Sequence, residues 1–174
     1  MSFTEHCNKI FNQAIQDYHI KDNIDATINN PYTPDSIDAT LYLKNWIDTV
    51  QWHFEDIIRD PDINPVEALK LKRRIDKSNQ DRTDLVEKID SYFRDKYKNT
   101  NILPDATINT ESPAWAVDRL SILALKIYHM KEQTERTDTS KEHVHKCMDK
   151  LAVLLEQQFH AKQHHCNSYN EQGE

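Results

Sequence analysis

Glycine is nearly missing from this chain. The one glycine among 174 residues is Gly173, so no internal segment can form the glycine-rich turn of a P-loop, a dinucleotide-binding fingerprint or a nucleophile elbow. Most tight β-hairpins go with it. Cysteine is scarce as well: Cys7, Cys147 and Cys166 are odd in number and form no Cys-x-x-Cys. With no apolar signal at the N-terminus, this usage predicts a reducing, cytoplasmic location. Long apolar runs are absent. The densest, Leu120 to Ile127, contains Lys126 and falls far short of the roughly 20 residues a membrane span needs. Basic excess is absent too, since the net charge is -7. A general nucleic-acid binder is therefore not expected, and the cluster Lys70, Lys72, Arg73 and Arg74 reads most simply as a solvated helix surface.

What is present is helical periodicity. Hydrophobic residues make up 37% and charged residues 29% of the chain, enough for one domain with a core, expected over residues 1–163 with a polar, histidine-containing, disordered tail over 164–174. Ser2 and Glu5 form a capping box ahead of a first helix. Thr33-Pro34, Asn64-Pro65 and Ser112-Pro113 each pair a capping side chain with proline at the first helical position, where its missing N–H costs nothing. A last helix is expected from near Thr139 to about Lys162. The pattern predicts an all-α antiparallel bundle of about five helices, with helices two and three antiparallel across the short link from Asp60 to Ile63. The string Asp-Ala-Thr-Ile-Asn occurs at both 25–29 and 105–109. Read as the trace of a duplicated helix pair, it would set His53 and His129 in matching positions; chance identity of common turn residues accounts for it equally well.

The third helix has a polar break in its inward stripe: Ala68, Leu71, Ile75, Asn79, Arg82, Val86, Ile89 and Phe93 share one face. A buried amide or guanidinium is costly without a partner, so carboxylates or a ligand are expected to meet Asn79 and Arg82. Helix two offers Asp48, Trp52, Glu55 and Arg59 on a side opposite its apolar face, with Asp48 or Glu55 as the natural partner of Arg82. This predicts a binding or adaptor module for an anionic small molecule. Its donors would be Asn79, Arg82 and Arg119, with Asp48 and Glu55 as orienting carboxylates and Trp52 and His53 at the same site.

An enzymatic alternative takes carboxylates as magnesium ligands for a nucleotide or other phosphate-containing substrate. Asp76 and Glu87 stand about 16 Å apart along one helix at 1.5 Å per residue and cannot share an ion. Glu87 and Asp90 can, helped by Glu55, and their Glu-x-x-Asp spacing resembles that of all-α nucleotide pyrophosphohydrolases, although the companion Glu-x-x-Glu helix is missing. A second alternative is structural, the polar strip fixing helix register or a homo-oligomer or partner-protein interface. Only Glu142 with His145 fits the Glu-x-x-His of di-iron bundles, and the His-x-Glu of His53 to Glu55 lacks the Pro-Cys-x-x-Cys of zinc deaminases. His160, His164, His165 and Cys166 make a loose metal-catching tail. His53 and His129 read most simply as core-edge histidines with one hydrogen bond each, Asp56 lying one turn from His53 and able to orient it.

Three strings, Asn45 to Asp56, Ile75 to Glu87 and Asn109 to Met130, resemble an uncharacterised bacterial family of unknown function. The likeness spans most of the chain, from near Pro31 to about Gln157. It implies a helical protein and carries over no catalytic residue. It also implies an arginine at position 158 followed by a longer C-terminal segment, whereas Gln158 and a histidine-rich tail stand here.

Overall fold

A computed structural model of the chain describes residues 1–101 and 109–170, with side chains described to Ala161. Five helices account for nearly all of it: α1 (Phe3–Lys21), α2 (Ile37–Ile58), α3 (Pro65–Tyr97), α4 (Pro113–Glu135) and α5 (Lys141–Asn170). No strand occurs among the described residues, and the protein is an all-α bundle. The half of the repeated string at 105–108 lies outside the described residues. So do the side chains of His164, His165 and Cys166.

Helix starts follow local chemistry. Ser2 and Glu5 close their capping box, and Asn64 accepts from the backbone N–H groups of Val66 and Glu67 ahead of Pro65. Ser112 accepts from the Trp115 N–H, one turn into α4. Helix α2 differs from expectation, for its cap is Ser36 rather than Thr33. The Thr33 carbonyl accepts from both the N–H and the Oγ of Ser36, and Asp35 sits at φ 63. Thr33 to Ser36 is thus a turn that must be completed before a helix can begin. Helix α5 is capped by Ser140, whose Oγ accepts from the His143 N–H, and it continues past the end expected near Lys162.

Contacts across the bundle give the helix directions. His6 meets Asp38, Asp17 meets Tyr42 and Tyr18 stacks on His53, so α1 and α2 run the same way. Lys44 meets Asp118, Ser121 meets Asp48 and Trp52 stacks on His129, so α4 runs with them. Against these, Asp48 pairs with Arg82 while Phe54 packs on Leu71 and Ile75, which makes α3 antiparallel to α2. The contact of Gln133 with His143 turns α5 back along α4. The long link after α1 is what allows α1 and α2 to be parallel, while the reversals after α2 and after α3 bring α4 round to the same direction.

Helix α2 is the central element. It buries Leu41, Tyr42, Trp46 and Phe54 and also Thr40, Lys44, Asn45, Asp48 and Thr49, because α1, α3 and α4 all pack against it. The main core joins Phe11, Ile15, Tyr18, Trp46, Ile89, Phe93, Val117 and Leu125. On α3 the inward stripe passes through Leu71, Ile75, Ser78, Leu85, Val86, Ile89 and Phe93. Asn79, expected inside, is exposed. The three-and-four spacing is met by Ser78, whose Oγ donates to Gln51 Oε1 at 2.7 Å, while Gln51 donates to Asn79 Oδ1 at 2.8 Å from outside.

Asp90 does structural work at the start of α4. Its carboxylate accepts from Ser112 Oγ at 2.7 Å and from the Ala114 N–H at 3.0 Å. Replacing it with alanine removes an anion from a helix N-terminus and should cost about 1–2 kcal/mol in urea unfolding. Glu87→Ala, at an exposed position, should stay within about 0.5 kcal/mol.

Candidate metal centre

Because α1, α2 and α4 are parallel, their C-terminal halves meet at one end of the bundle, and each brings a histidine there. His19, His53 and His129 form a nearly equilateral group, with ring centroids 5.4, 5.4 and 5.6 Å apart. One ring nitrogen from each lies within 4.8 Å of the others, and among the described residues no other set of three or more histidine, cysteine or acidic side chains converges in this way. The Nε2 atoms of all three are buried and have no hydrogen-bond partner. Three neighbouring rings each with an unpartnered buried nitrogen are unusual, since buried polar atoms are nearly always paired.

The surroundings set the tautomer of two of these rings. His19 Nδ1 lies 2.7 Å from the Ile15 carbonyl. A carbonyl only accepts, so Nδ1 carries the proton and Nε2 presents a lone pair. His129 Nδ1 lies 2.9 Å from Glu132 Oε2, and the carboxylate fixes the same tautomer there. This is how metal-binding imidazoles are oriented in general, their second nitrogen donating to a carbonyl or carboxylate. Aromatic faces hold the rings in place. Tyr18 stacks on His53 at 5.0 Å, Trp52 on His129 at 4.8 Å and an interplanar angle of 10°, and Tyr128 leans on His19 at 4.4 Å.

Burial disfavours the charged form of two of the rings. Burial, then the neighbouring His19 and His129, lower the pKa of His53 below its usual 6.5, against the opposing pull of Asp22 and Asp56. Burial likewise lowers His129, with Glu132 opposing. The unfolded chain therefore binds more protons than the folded one as pH drops below about 6.5, so stability is full above that value and declines beneath it. Urea midpoints between pH 7.5 and 5 should fall for the native chain, and fall less for His53→Gln.

One carboxylate borders the group. Asp22 ends α1 in the left-handed region, φ 44, where its N–H caps the Tyr18 carbonyl at 2.8 Å. Its Oδ1 is 3.9 Å from His53 Nε2, and its side chain is 63% exposed. On another side a cavity of about 720 Å³ shares His129 with the centre and is walled by Trp52, Met130, Val153 and Leu154, with Asp56, Lys126, Asp149 and Lys150 alongside.

The polar strip expected around Arg82 is a separate place. Lys44 Nζ lies 2.5 Å from Asp48 and 2.7 Å from Asp118, while Arg82 Nε lies 2.6 Å from Asp48 and its Nη2 3.5 Å from Asp118. Ser121 donates to Asp48 at 2.5 Å, and Asn45 donates to Ser121. Two cations meet two anions with little room for a third party. Asp48 rather than Glu55 takes Arg82; Glu55 turns toward Arg59 at 3.9 Å. Arg119 pairs with Glu111 on the surface, and Asn79 with Gln51. Of the residues expected to share one pocket, the structure joins Asp48 with Arg82, and Trp52 with His53 around His129, but not these two pairs with Asn79, Glu55 or Arg119. Glu87 is exposed and Asp90 is engaged by α4, and neither belongs to a converging ligand group. Lys44, Ser121 and above all His19 escape sequence reasoning. His19 stands between Tyr18 and Ile20 with no other ligand type beside it in a recognisable motif, and only the parallel course of α1 and α4 connects it to His129.

A family model described as a protein of unknown function (DUF4254) matches residues 38–164, a span that includes His53 and His129 and begins after His19. No curated protein and no solved structure matches the chain.

Proposed function

The chain belongs to this family of unknown function, and from that premise we propose that it is a metal-binding protein, holding one divalent transition-metal ion on His19, His53 and His129. The observation that carries the reading is the convergence of three histidines, one ring nitrogen of each within 4.8 Å of the others, on rings that each hold a buried Nε2 without a partner. Imidazole nitrogen suits zinc, copper, nickel and iron, and oxygen-seeking magnesium poorly. Zinc takes histidine nitrogen at about 2.0–2.1 Å, so the rings, whose nitrogens lie within 4.8 Å of one another, would close inward on the ion. A water molecule would serve all three nitrogens only with His53 in its Nε2–H form, because water has two protons to donate. A cation takes three lone pairs at once and adds attraction to the Asp22 and Glu132 carboxylates.

Calorimetric titration with zinc at pH 7.5 tests this. His160, His164, His165 and Cys166 are replaced by alanine in every sample, so that the C-terminal cluster does not contribute. The three-histidine protein should bind one equivalent, His129→Ala should lose affinity at least a hundredfold, and Glu132→Gln, which removes the orienting carboxylate, roughly 10–100-fold. Failure of the parent to bind, or equal binding by His129→Ala, overturns the reading.

The ion network of Lys44, Asp48, Arg82 and Asp118 supports a structural role, because each charge there already has its opposite within reach.

A further inference from the structure

We infer that Asp22 is the fourth ligand of the ion and that the centre is closed, a structural clasp holding the end of α1 on α2 and α4. This inference rests on the metal-binding reading above. Distance carries it first. In a tetrahedral zinc site with ligands at about 2.0–2.1 Å, any two ligand atoms stand roughly 3.3–3.4 Å apart. Asp22 Oδ1 is 3.9 Å from His53 Nε2, already close to that edge, while the histidine nitrogens lie within 4.8 Å of one another. Asp22 stands outside the group that meets this limit for every member, and its side chain, 63% exposed, turns inward to join it.

Spacing along α1 points the same way. His19 and Asp22 are three residues apart, the separation that sets two side chains on one side of a helix and supplies paired ligands in helical di-metal proteins. The Asp22 N–H, bonded to the Tyr18 carbonyl at 2.8 Å, fixes the backbone in the left-handed region, which aspartate tolerates better than most residues. The carboxylate is also uncommitted: among the described residues His53 is its one ion-pair partner, and it accepts no hydrogen bond. Charge completes the case. Three neutral imidazoles bring no charge to a dication among buried nitrogens, and burying uncompensated charge is costly. Asp22 cancels one unit, and Glu132, behind His129, faces the other. An ion with four protein ligands has no place for water or substrate and serves the fold.

Cobalt(II), which accepts the same nitrogen and oxygen ligands as zinc and absorbs visible light according to its ligand set, is the probe, with azide as the test of an open position. His160, His164, His165 and Cys166 are again replaced by alanine in every sample. The cobalt-loaded parent should keep its spectrum in excess azide. Asp22→Gly, which suits the left-handed backbone, should bind zinc at least about tenfold more weakly, the lower end of what even the outer partners of metal ligands contribute, and its cobalt spectrum should change with azide. Asp56→Asn, which removes an acid held by Arg59 at 3.3 Å, should match the parent in both measurements. An azide-sensitive parent spectrum overturns the inference, as does an Asp22→Gly protein that keeps the parent's affinity or stays indifferent to azide. Equal weakening in Asp56→Asn overturns it too, since charge alone then accounts for the loss. In each of these cases the three-histidine site stands. A parent that binds neither zinc nor cobalt sinks the metal-binding reading itself.

Discussion

Asp48→Ala should be the most destabilising single substitution in the bundle, lowering unfolding free energy by about 3–5 kcal/mol, the cost of removing one partner of a buried charge pair. The reason is local. Lys44 is fully buried at 0% exposure, and Asp48 and Asp118 are the two anions within reach of it. Removing Asp48 leaves Lys44 and the Arg82 guanidinium sharing Asp118, one uncompensated positive charge in the centre of the fold. For a chain of this length the melting temperature should fall by roughly 10 °C. The double variant Lys44→Met with Asp48→Leu should recover much of the loss, because apolar groups of similar volume remove the stranded charge and its desolvation cost together. Urea unfolding of the parent, both single variants and the double variant closes the cycle. Additive losses would show that Lys44 and Asp48 do not act as a pair.

The second large effect is zinc-dependent stability. Zinc at a hundred times its dissociation constant should add about 2.7 kcal/mol to the folded state if the unfolded chain does not bind it. That corresponds to a rise in melting temperature of roughly 5–10 °C for a domain of this size. His19→Ala and His129→Ala should abolish the shift while changing metal-free stability far less. A histidine with an unpaired buried Nε2 contributes little without its ion, and its removal relieves an unmet polar group. The shift should also shrink between pH 7.5 and pH 6, because protons compete with the ion for the ring nitrogens. Magnesium at equal concentration should give no shift, since the converging atoms are nitrogen.

The bundle was largely legible in the residues themselves. Caps at Ser2, Asn64 and Ser112 and apolar spacing mark helix starts and inward faces, since these are properties of one segment at a time. Thr33-Pro34 misleads because a capping side chain before proline also makes a good turn, and here Asp35 in a left-handed conformation spends those residues on the turn before Ser36 begins the helix. Asn79 misleads by one position: Ser78 and Asn79 both fit the spacing and both hydrogen-bond Gln51, and the smaller side chain is the one inside. Arg82 needs a carboxylate on any account, and Asp48 supplies one. The histidine centre was not legible. His53 and His129 look like ordinary core-edge histidines on their own helices, and His19 has no mark at all. Their meeting depends on α1, α2 and α4 running in one direction, which follows from the long connection after α1 and the two reversals around α3, and from no local pattern. The carboxylate pair Glu87 and Asp90 has a suggestive spacing, but spacing says nothing of the N–H groups of α4 that claim Asp90.

X-ray absorption at the zinc edge of the zinc-loaded chain, with the histidines and cysteine near the C-terminus replaced, tests the central claim most directly. The account predicts three imidazole nitrogens at about 2.0–2.1 Å with one further light ligand, and loss of one imidazole contribution in His19→Ala. A coordination sphere of oxygen alone, or one that keeps all its imidazole signal in His19→Ala, would contradict it.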